Sequence, residues 1–480
     1  MENKYKRLAK NSIWSLLGNT GSKVLGFLLL PLYTRWLGTA GFGESDLVTT
    51  YSSFLVCIMT MCVADGIFAF TKNESVEVKR SFYSSSLIFI LFALGAWLLV
   101  WAALNTAFLY YNIHNSFADN LWLIFGIVAT TFWQQYSQQF ILSLEKIRIY
   151  SFTGIIHSIL TLLFSYWLIP VQGVKGYIMA MIYANLLTGV YSFLFSKSYF
   201  FLRVGSFSRE DVVSLLKYSI PLIPNTMMWW LVSALNRPVM EYHLDFSAIG
   251  IYAVANRFPS VITMVFSVVA VAWNISVFEE YGKEGYEEFY KKTFRMLFLT
   301  IVIVASFVIA SSELVISLFA APEFIDAWKY MIILIIGAVF SCMSGFFGTN
   351  FGVVKKSKYF FYSSVWGAVT SIIFNFLLIP VFGLWGTVFS VLLSHLVMMM
   401  SRFAYSKKFV KASIKGEIAK YAFTMVIVAT LTYYISLLWV KIIAVMLVLS
   451  SLIFIERDIV KPIMQGMKAR FLYRKPNNNI

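Results

Sequence analysis

The chain predicts an all-α integral membrane protein. About fourteen transmembrane helices are expected, as two parallel-repeat six-helix halves around a central cavity plus two C-terminal helices. Three observations predict this. Of 480 residues, 59% are hydrophobic and only 13% charged, where a soluble domain carries about 25% charged residues; the mean hydropathy is +0.74. Apolar runs of helix-spanning length recur from end to end, whereas a β-barrel would show only short alternating segments. Two stretches of the chain also repeat.

In order, the expected spans are 13–37, 42–70, 82–110, 118–143, 150–171, 174–196, 218–240, 246–278, 293–320, 327–354, 359–381, 384–405, 418–438 and 441–455. The basic opening MENKYKRLAK runs into an apolar stretch without a small-residue cleavage site, so the first span reads as a retained helix. No polar stretch is long enough for a separate soluble domain. The expected organisation is an N-terminal six-helix half (1–200), a cytoplasmic linker (201–217), a C-terminal six-helix half (218–408), and two extra helices with a basic tail (409–480). The segment 279–295 carries mixed charge and reads as an amphipathic surface helix.

Charge gives an orientation. With both termini in the cytoplasm, 32 lysines and arginines fall in inside segments and four (Arg35, Lys175, Arg237 and Lys441) in outside ones. The alternation holds at every loop. The formal net charge of +16 is thus positive-inside bias, and no nucleic-acid partner is expected. Cys57, Cys62 and Cys342 lie inside apolar runs and read as small core hydrophobes, not as a disulfide or metal set.

The repeat organises the rest. FSYWLIPVQGVKG (164–176) and FNFLLIPVFGLWG (374–386) agree at seven of thirteen positions, at an offset of 210. Pro170, Gly173 and Gly176 pair with Pro380, Gly383 and Gly386. Such a Pro-x-x-Gly-x-x-Gly segment reads as a tight turn between two spans. Nearer the start, Ser12, Ile13, Pro31, Leu37 and Gly43 match Ser219, Ile220, Pro238, Leu244 and Gly250 at an offset of 207. Six spans per half give both halves the same orientation, as in parallel-repeat transporters with a central substrate cavity.

Charges within spans are the candidates to line that cavity. Lys23 is mid-span, where a lysine costs about 2.5–3.5 kcal/mol. Arg257 precedes the helix-disturbing Pro259. Asp46, Asp65 and Glu313 are candidates for ion coupling. The bland alternative for each is an internal ion pair or snorkelling to the interface. Gln134, Gln135, Gln138 and Gln139 form one broad polar face by i,i+4 spacing, suited to a sugar or to interhelical hydrogen bonds. In the seventh span Pro221 and Pro224 would bend the helix beside Asn225 and Trp229. A tryptophan there can stack on a sugar or simply pack. His157 and His395 read as packing residues. No Walker A, Asp-x-Asp, Cys/His metal spacing or Gly-x-Ser-x-Gly occurs, so no catalytic residue, metal or cofactor is expected.

The motifs Asn11-Ser12-Ile13 with Gly18, Pro31-Leu32-Tyr33-Thr34-Arg35-Trp36-Leu37-Gly38, Gly41-Phe42-Gly43, and the Leu-Ile-Pro-x-x-Gly-x-x-Gly turns from Leu168 and Leu378 resemble the polysaccharide transporter family. These are the Wzx-type oligosaccharide-lipid flippases of the multidrug/oligosaccharidyl-lipid/polysaccharide exporter superfamily. The resemblance covers the full length. It implies a multi-pass protein of the bacterial cytoplasmic membrane that moves undecaprenyl-pyrophosphate-linked oligosaccharide units outward for capsule, exopolysaccharide or O-antigen synthesis. Membrane lipids are expected partners, with a polysaccharide polymerase and glycosyltransferases as candidates; the energy source stays open, a Na+ or H+ gradient being the candidate. Related lipid II flippases hold pyrophosphate with cations in their first and eighth helices, the helices of Lys23 and Arg257. The resemblance thus bears on Lys23 and Arg257; with Gln134, Gln138, Asn225 and Trp229 from the reading of the spans, these six are the substrate-binding expectation. Three alternatives stay open: a lipid II or teichoic-acid-precursor flippase, a multidrug or cation antiporter of the same superfamily, and a membrane-embedded polymerase or ligase. Acidic Asp46 and Asp65 keep the antiporter open; short outer loops weigh against the polymerase.

Overall fold

The computed structural model describes residues 2–461, with side chains from Gly26 onward. Among these residues all regular structure is helical. In apolar surroundings a helix satisfies every backbone donor and acceptor within its own segment. The helices are α1 (Glu2–Met59), α2 (Val63–Thr71), α3 (Val76–Tyr110), α4 (Ser116–Asp119), α5 (Leu121–Ser143), α6 (Ile147–Phe195), α7 (Arg209–Ser219), α8 (Ile223–Ser233) and α9 (Asn236–His243). They continue as α10 (Phe246–Ala255), α11 (Pro259–Glu280), α12 (Tyr286–Ala310), α13 (Ser312–Phe319), α14 (Ala327–Val353), α15 (Lys358–Phe382), α16 (Leu384–Ser406), α17 (Lys415–Tyr434) and α18 (Leu438–Ile455).

Eight helices among the described residues are long and apolar enough to cross a membrane; a ninth span arises if the pair 26–59 and Val63–Thr71, bent by 50°, counts as one. Helices and the fourteen expected spans do not match one to one. α1 runs through two expected spans with a kink at Gly38 (φ 63°), and α6 through two with a kink at Gly173 (φ 55°). The expected span 218–240 is cut into short pieces, because Pro221 and Pro224 each sit in the first turn of a new helical piece. The expected surface helix at 279–295 is not separate. Gly285 (φ 79°) starts α12 directly, and Tyr286, Tyr290 and Phe294 carry its first turns into a packed core.

The duplicated turns are hairpins of one geometry. A Cβ on Gly176 would lie 2.2 Å from the Leu168 carbonyl oxygen, and one on Gly386 2.1 Å from that of Leu378. Gly173 (φ 55°) and Gly383 (φ 57°) supply the left-handed backbone at the reversal. The other repeated bend is made in two ways. Gly38 turns the chain in α1; at the matching place Asp245 caps α10, accepting from the Ala248 amide at 2.7 Å.

The chain forms two compact units. The first holds the described residues up to Val254, with Leu318–Ile325 and Ser371–Thr387; the second holds Ala255–Ser317, Asp326–Thr370 and the described residues from Val388. The first has a core around Val63, Ile67, Tyr83, Phe132, Tyr136 and Phe140. In the second, Trp273 stacks on Phe346 at 4.2 Å, with Tyr290, Phe294 and Phe347 around them. Next to Phe294 on α12, Arg295 binds buried Glu456 at 2.6 Å and Asp458 at 2.8 Å, tying α12 to the end of α18.

The hairpin geometry predicts that Gly176→Ala and Gly386→Ala each destabilise by about 1–3 kcal/mol, the cost of forcing atoms into a filled space. Gly95→Ala, where nothing lies within 4 Å of the added Cβ, should be neutral or slightly stabilising. Thermal unfolding of the purified variants in detergent checks both.

Candidate functional site

Two features of the first unit stand out: a polar cavity, and a tight closure between α1, α9 and α10.

The cavity has a volume of about 450 Å³. Its walls come from the end of α1, the start of α2, one face of α5, Tyr150 of α6 and Thr226 of α8. The helical periodicity of α5 brings Thr131, Gln135, Gln138 and Gln139 to it. The break between α1 and α2, where Met61 and Cys62 both take φ 52°, brings Asp65 to the same space. Gln138 Nε2 donates to Thr153 Oγ1 at 3.0 Å. Among the described residues, none hydrogen-bonds the side chains of Asp65, Gln135 or Gln139. The cavity thus presents a carboxylate and two amides with capacity to spare, suited to a hydroxyl-rich ligand or a cation. Behind it, His157 Nε2 is 2.9 Å from Asn185 Oδ1, and Asn185 Nδ2 donates to Thr131 Oγ1 at 3.0 Å.

The closure rests on bare backbone. A Cβ on Gly43 would lie 1.9 Å from the Phe246 carbonyl oxygen, and one on Gly250 2.0 Å from that of Thr39. Both pairs, 43/250 and 39/246, are separated by the repeat offset, so duplicated positions meet each other. Beside them Asp46 Oδ2 accepts from Arg237 Nε at 2.8 Å, with both side chains largely buried. Arg237 also donates to the Ser233 carbonyl at 2.9 Å and lies over the Tyr252 ring at 5.0 Å. Glu241 accepts from the Tyr51 hydroxyl and, at 3.0 Å, from the Ser116 amide. Thr34 Oγ1 accepts from the Ala321 amide at 3.0 Å.

The expected site residues fall in different places. Gln138 and Asp65 share the cavity; Gln134 is half-buried and off its described lining. Asp46 is held by Arg237. Glu313, in the second unit, is 3.2 Å from the buried Lys441 ammonium. Arg257 sits at the break between α10 and α11, its carbonyl accepting from the Ser260 hydroxyl at 2.6 Å. Asn225 is exposed and Trp229 half-buried on α8. The Lys23 side chain lies outside the described residues. Sequence reasoning missed the roles of Arg237 and Arg402, both counted with loop cations. Arg402 is buried in α16, donating to Ser363 Oγ at 3.0 Å and Ser364 Oγ at 3.3 Å. Cys57 and Cys62 are buried as expected, but they also touch each other and line the cavity.

The pairing predicts that Asp46→Asn, which strands the buried Arg237, costs about 3–5 kcal/mol. The exchange Asp46→Arg with Arg237→Asp should recover part of it. A thermal-shift double-mutant cycle reads the coupling.

The model of the family "Polysaccharide biosynthesis protein" matches residues 8–274, and that of the MatE family matches 221–377. An Lsg locus protein of Haemophilus influenzae is 24% identical over 274 residues, which is 54% of this chain and 63% of that protein. The match thus spans less than two thirds of the relative's length. The fold is similar to that of the lipid II flippase MurJ in an inward closed conformation, with TM-score 0.72, 14% identity, and 93% of this chain and 99% of that one covered. A MOP superfamily transporter from Pyrococcus furiosus gives TM-score 0.56, 15% identity, and coverage of 83% and 94%. The chain therefore belongs to the polysaccharide biosynthesis protein family, and its apolar helices make it a multi-pass membrane protein.

Proposed function

We propose that the protein is a flippase for undecaprenyl-pyrophosphate-linked oligosaccharide units in the bacterial cytoplasmic membrane, with both termini in the cytoplasm. The observation that carries this reading is the polar cavity of Asp65, Gln135, Gln138 and Gln139 among the helices of a polysaccharide biosynthesis family member. An oligosaccharide needs hydrogen-bonding partners at membrane depth, since unpaired hydroxyls there are costly. The glutamine amides offer donors and acceptors in the number a sugar uses. The pyrophosphate needs cations, and Lys23 and Arg257 are the proposed ones. Glycosyltransferases would supply the cargo and a polymerase would consume it.

The closure of α1 against α9 and α10 fits alternating access. By the charge count, Arg237 lies on the outer side, so the Asp46–Arg237 pair would seal the outer path while the cavity loads from inside. A Na+ or H+ gradient would reset the cycle. Of the three acidic candidates, Asp46 and Glu313 already face basic partners. Asp65, in the cavity and without one among the described residues, is the favoured coupling group. A lipid II or teichoic-acid-precursor cargo is the main competing reading, and the fold shared with the lipid II flippase favours it over a drug antiporter.

The test is complementation of a strain lacking this gene, scored by surface polysaccharide. Gln135→Ala with Gln139→Ala should lower export at least tenfold (about 1.4 kcal/mol) at unchanged protein level. Lys23→Gln with Arg257→Gln should abolish it. Unchanged export in both double variants contradicts the reading. Loss of peptidoglycan synthesis with intact surface polysaccharide assigns the lipid II cargo instead.

A further inference from the structure

The second unit holds a cavity of about 390 Å³ between α11, α14 and the start of α15. Its floor is the α14 backbone at Gly345, Gly348 and Gly352, and its walls are Phe266, Phe278 and Phe360. At the repeat offset of 210, Gln135 corresponds to Gly345, Gln138 to Gly348, Gln139 to Thr349 and Tyr150 to Phe360. All eight residues line one cavity or the other. The duplication has therefore produced two counterpart cavities. One is lined by amides, a phenol and a carboxylate. The other is lined mainly by bare backbone and hydrocarbon rings, with Asn274, Thr349 and Ser357 as its polar side chains.

The rings lie directly on the glycines. Phe360 is 2.8 Å, and Phe266 3.1 Å, from where a Cβ of Gly348 or Gly345 would be. Phe360 is held from behind by the Arg402 guanidinium, 4.2 Å from its centroid. Of the polar groups in the lining, the Thr349 hydroxyl donates to Asn274 Oδ1 at 3.0 Å. A sugar here would leave most of its hydroxyls unpaired, which an apolar site penalises. A hydrocarbon chain loses nothing and gains burial. At Gly352, where Phe278 comes no nearer than 3.8 Å to the missing Cβ, the floor stays open for a side methyl of a branched, isoprenoid chain.

We propose that this cavity binds a stretch of the isoprenoid chain of the lipid-linked cargo, giving the transporter an apolar subsite alongside its polar one. The inference rests on the flippase reading above and adds a site for the lipid part of the substrate.

The experiment uses the full-length protein in lipid nanodiscs and two photoactivatable probes, farnesyl monophosphate and palmitate, each with a terminal diazirine. Farnesyl monophosphate should label peptides of α11 and α14, and palmitate should label them at least tenfold less. Ala270→Trp and Gly352→Leu both fill the cavity; each should cut farnesyl labelling at least tenfold, and Gln135→Ala should leave it unchanged. Gly352 has Phe278 no nearer than 3.8 Å to its Cβ position, so Gly352→Leu keeps the test alive if Ala270→Trp does not fold. Equal labelling by palmitate, displacement of the farnesyl probe by soluble oligosaccharide, or labelling insensitive to both filling variants overturns the proposal. Transport of an oligosaccharide lipid without farnesyl labelling overturns this proposal alone. Farnesyl labelling without such transport overturns the flippase reading instead.

Discussion

The contact between Gly43 and Gly250 is the constraint on which the rest of the first unit depends. Each glycine faces a carbonyl from the other helix at a distance no side chain tolerates. That close approach sets α1 against α10, and it brings Asp46 within 2.8 Å of Arg237. An arginine and an aspartate this far from water are tolerable only as a pair with their remaining groups satisfied. Arg237 meets that condition through the Ser233 carbonyl and the Tyr252 ring. A contact of bare backbone plus one charged pair is also easy to make and break as a unit. Few interdigitated side chains have to separate, which suits a transporter that must open one end and close the other.

The duplication supplied the scaffold, and divergence supplied the chemistry. Gly176 and Gly386 keep the same hairpin, and Gly173 and Gly383 keep the same left-handed turn. The linings of the two counterpart cavities differ. Three glutamines in α5 stand where α14 has two glycines and a threonine. Local structure could diverge where its role was only to turn the chain: Gly38 uses a positive φ, whereas Asp245 uses a side-chain cap.

The fold class was legible because apolar length and the positive-inside pattern are properties of composition along the chain, and both survive any detail of packing. The repeat was legible from its turn residues, since a left-handed φ and a backbone contact each demand glycine. The span count was less so. Hydropathy cannot distinguish a helix that ends from one that kinks, and α1 and α6 kink at glycine while 218–243 breaks at proline. The site was legible in part. The glutamine face was visible from i,i+4 spacing, but spacing alone did not say that Gln135, Gln138 and Gln139 reach the cavity and Gln134 does not. Asp46 and Arg237 are 191 residues apart, so no local pattern links them, and Arg237 was read as a loop cation. Arg402 was misplaced for the same reason: a charge count along the chain carries no information about depth when the α15 hydroxyls of Ser363 and Ser364 and the Ser344 carbonyl of α14 supply the hydrogen bonds.

The central claim is that this protein carries a polar, lipid-linked oligosaccharide across the bilayer through the Asp65–glutamine cavity. Proteoliposomes that start with a fluorescent undecaprenyl-pyrophosphate oligosaccharide in the inner leaflet, and receive an external glycosidase, measure it most directly. The account predicts time-dependent cleavage of the sugar with the wild-type protein, and cleavage at the protein-free rate when Asp65, Gln135 and Gln139 are replaced together. Cleavage at the protein-free rate with well-folded wild-type protein, with and without an imposed Na+ or H+ gradient, would contradict it.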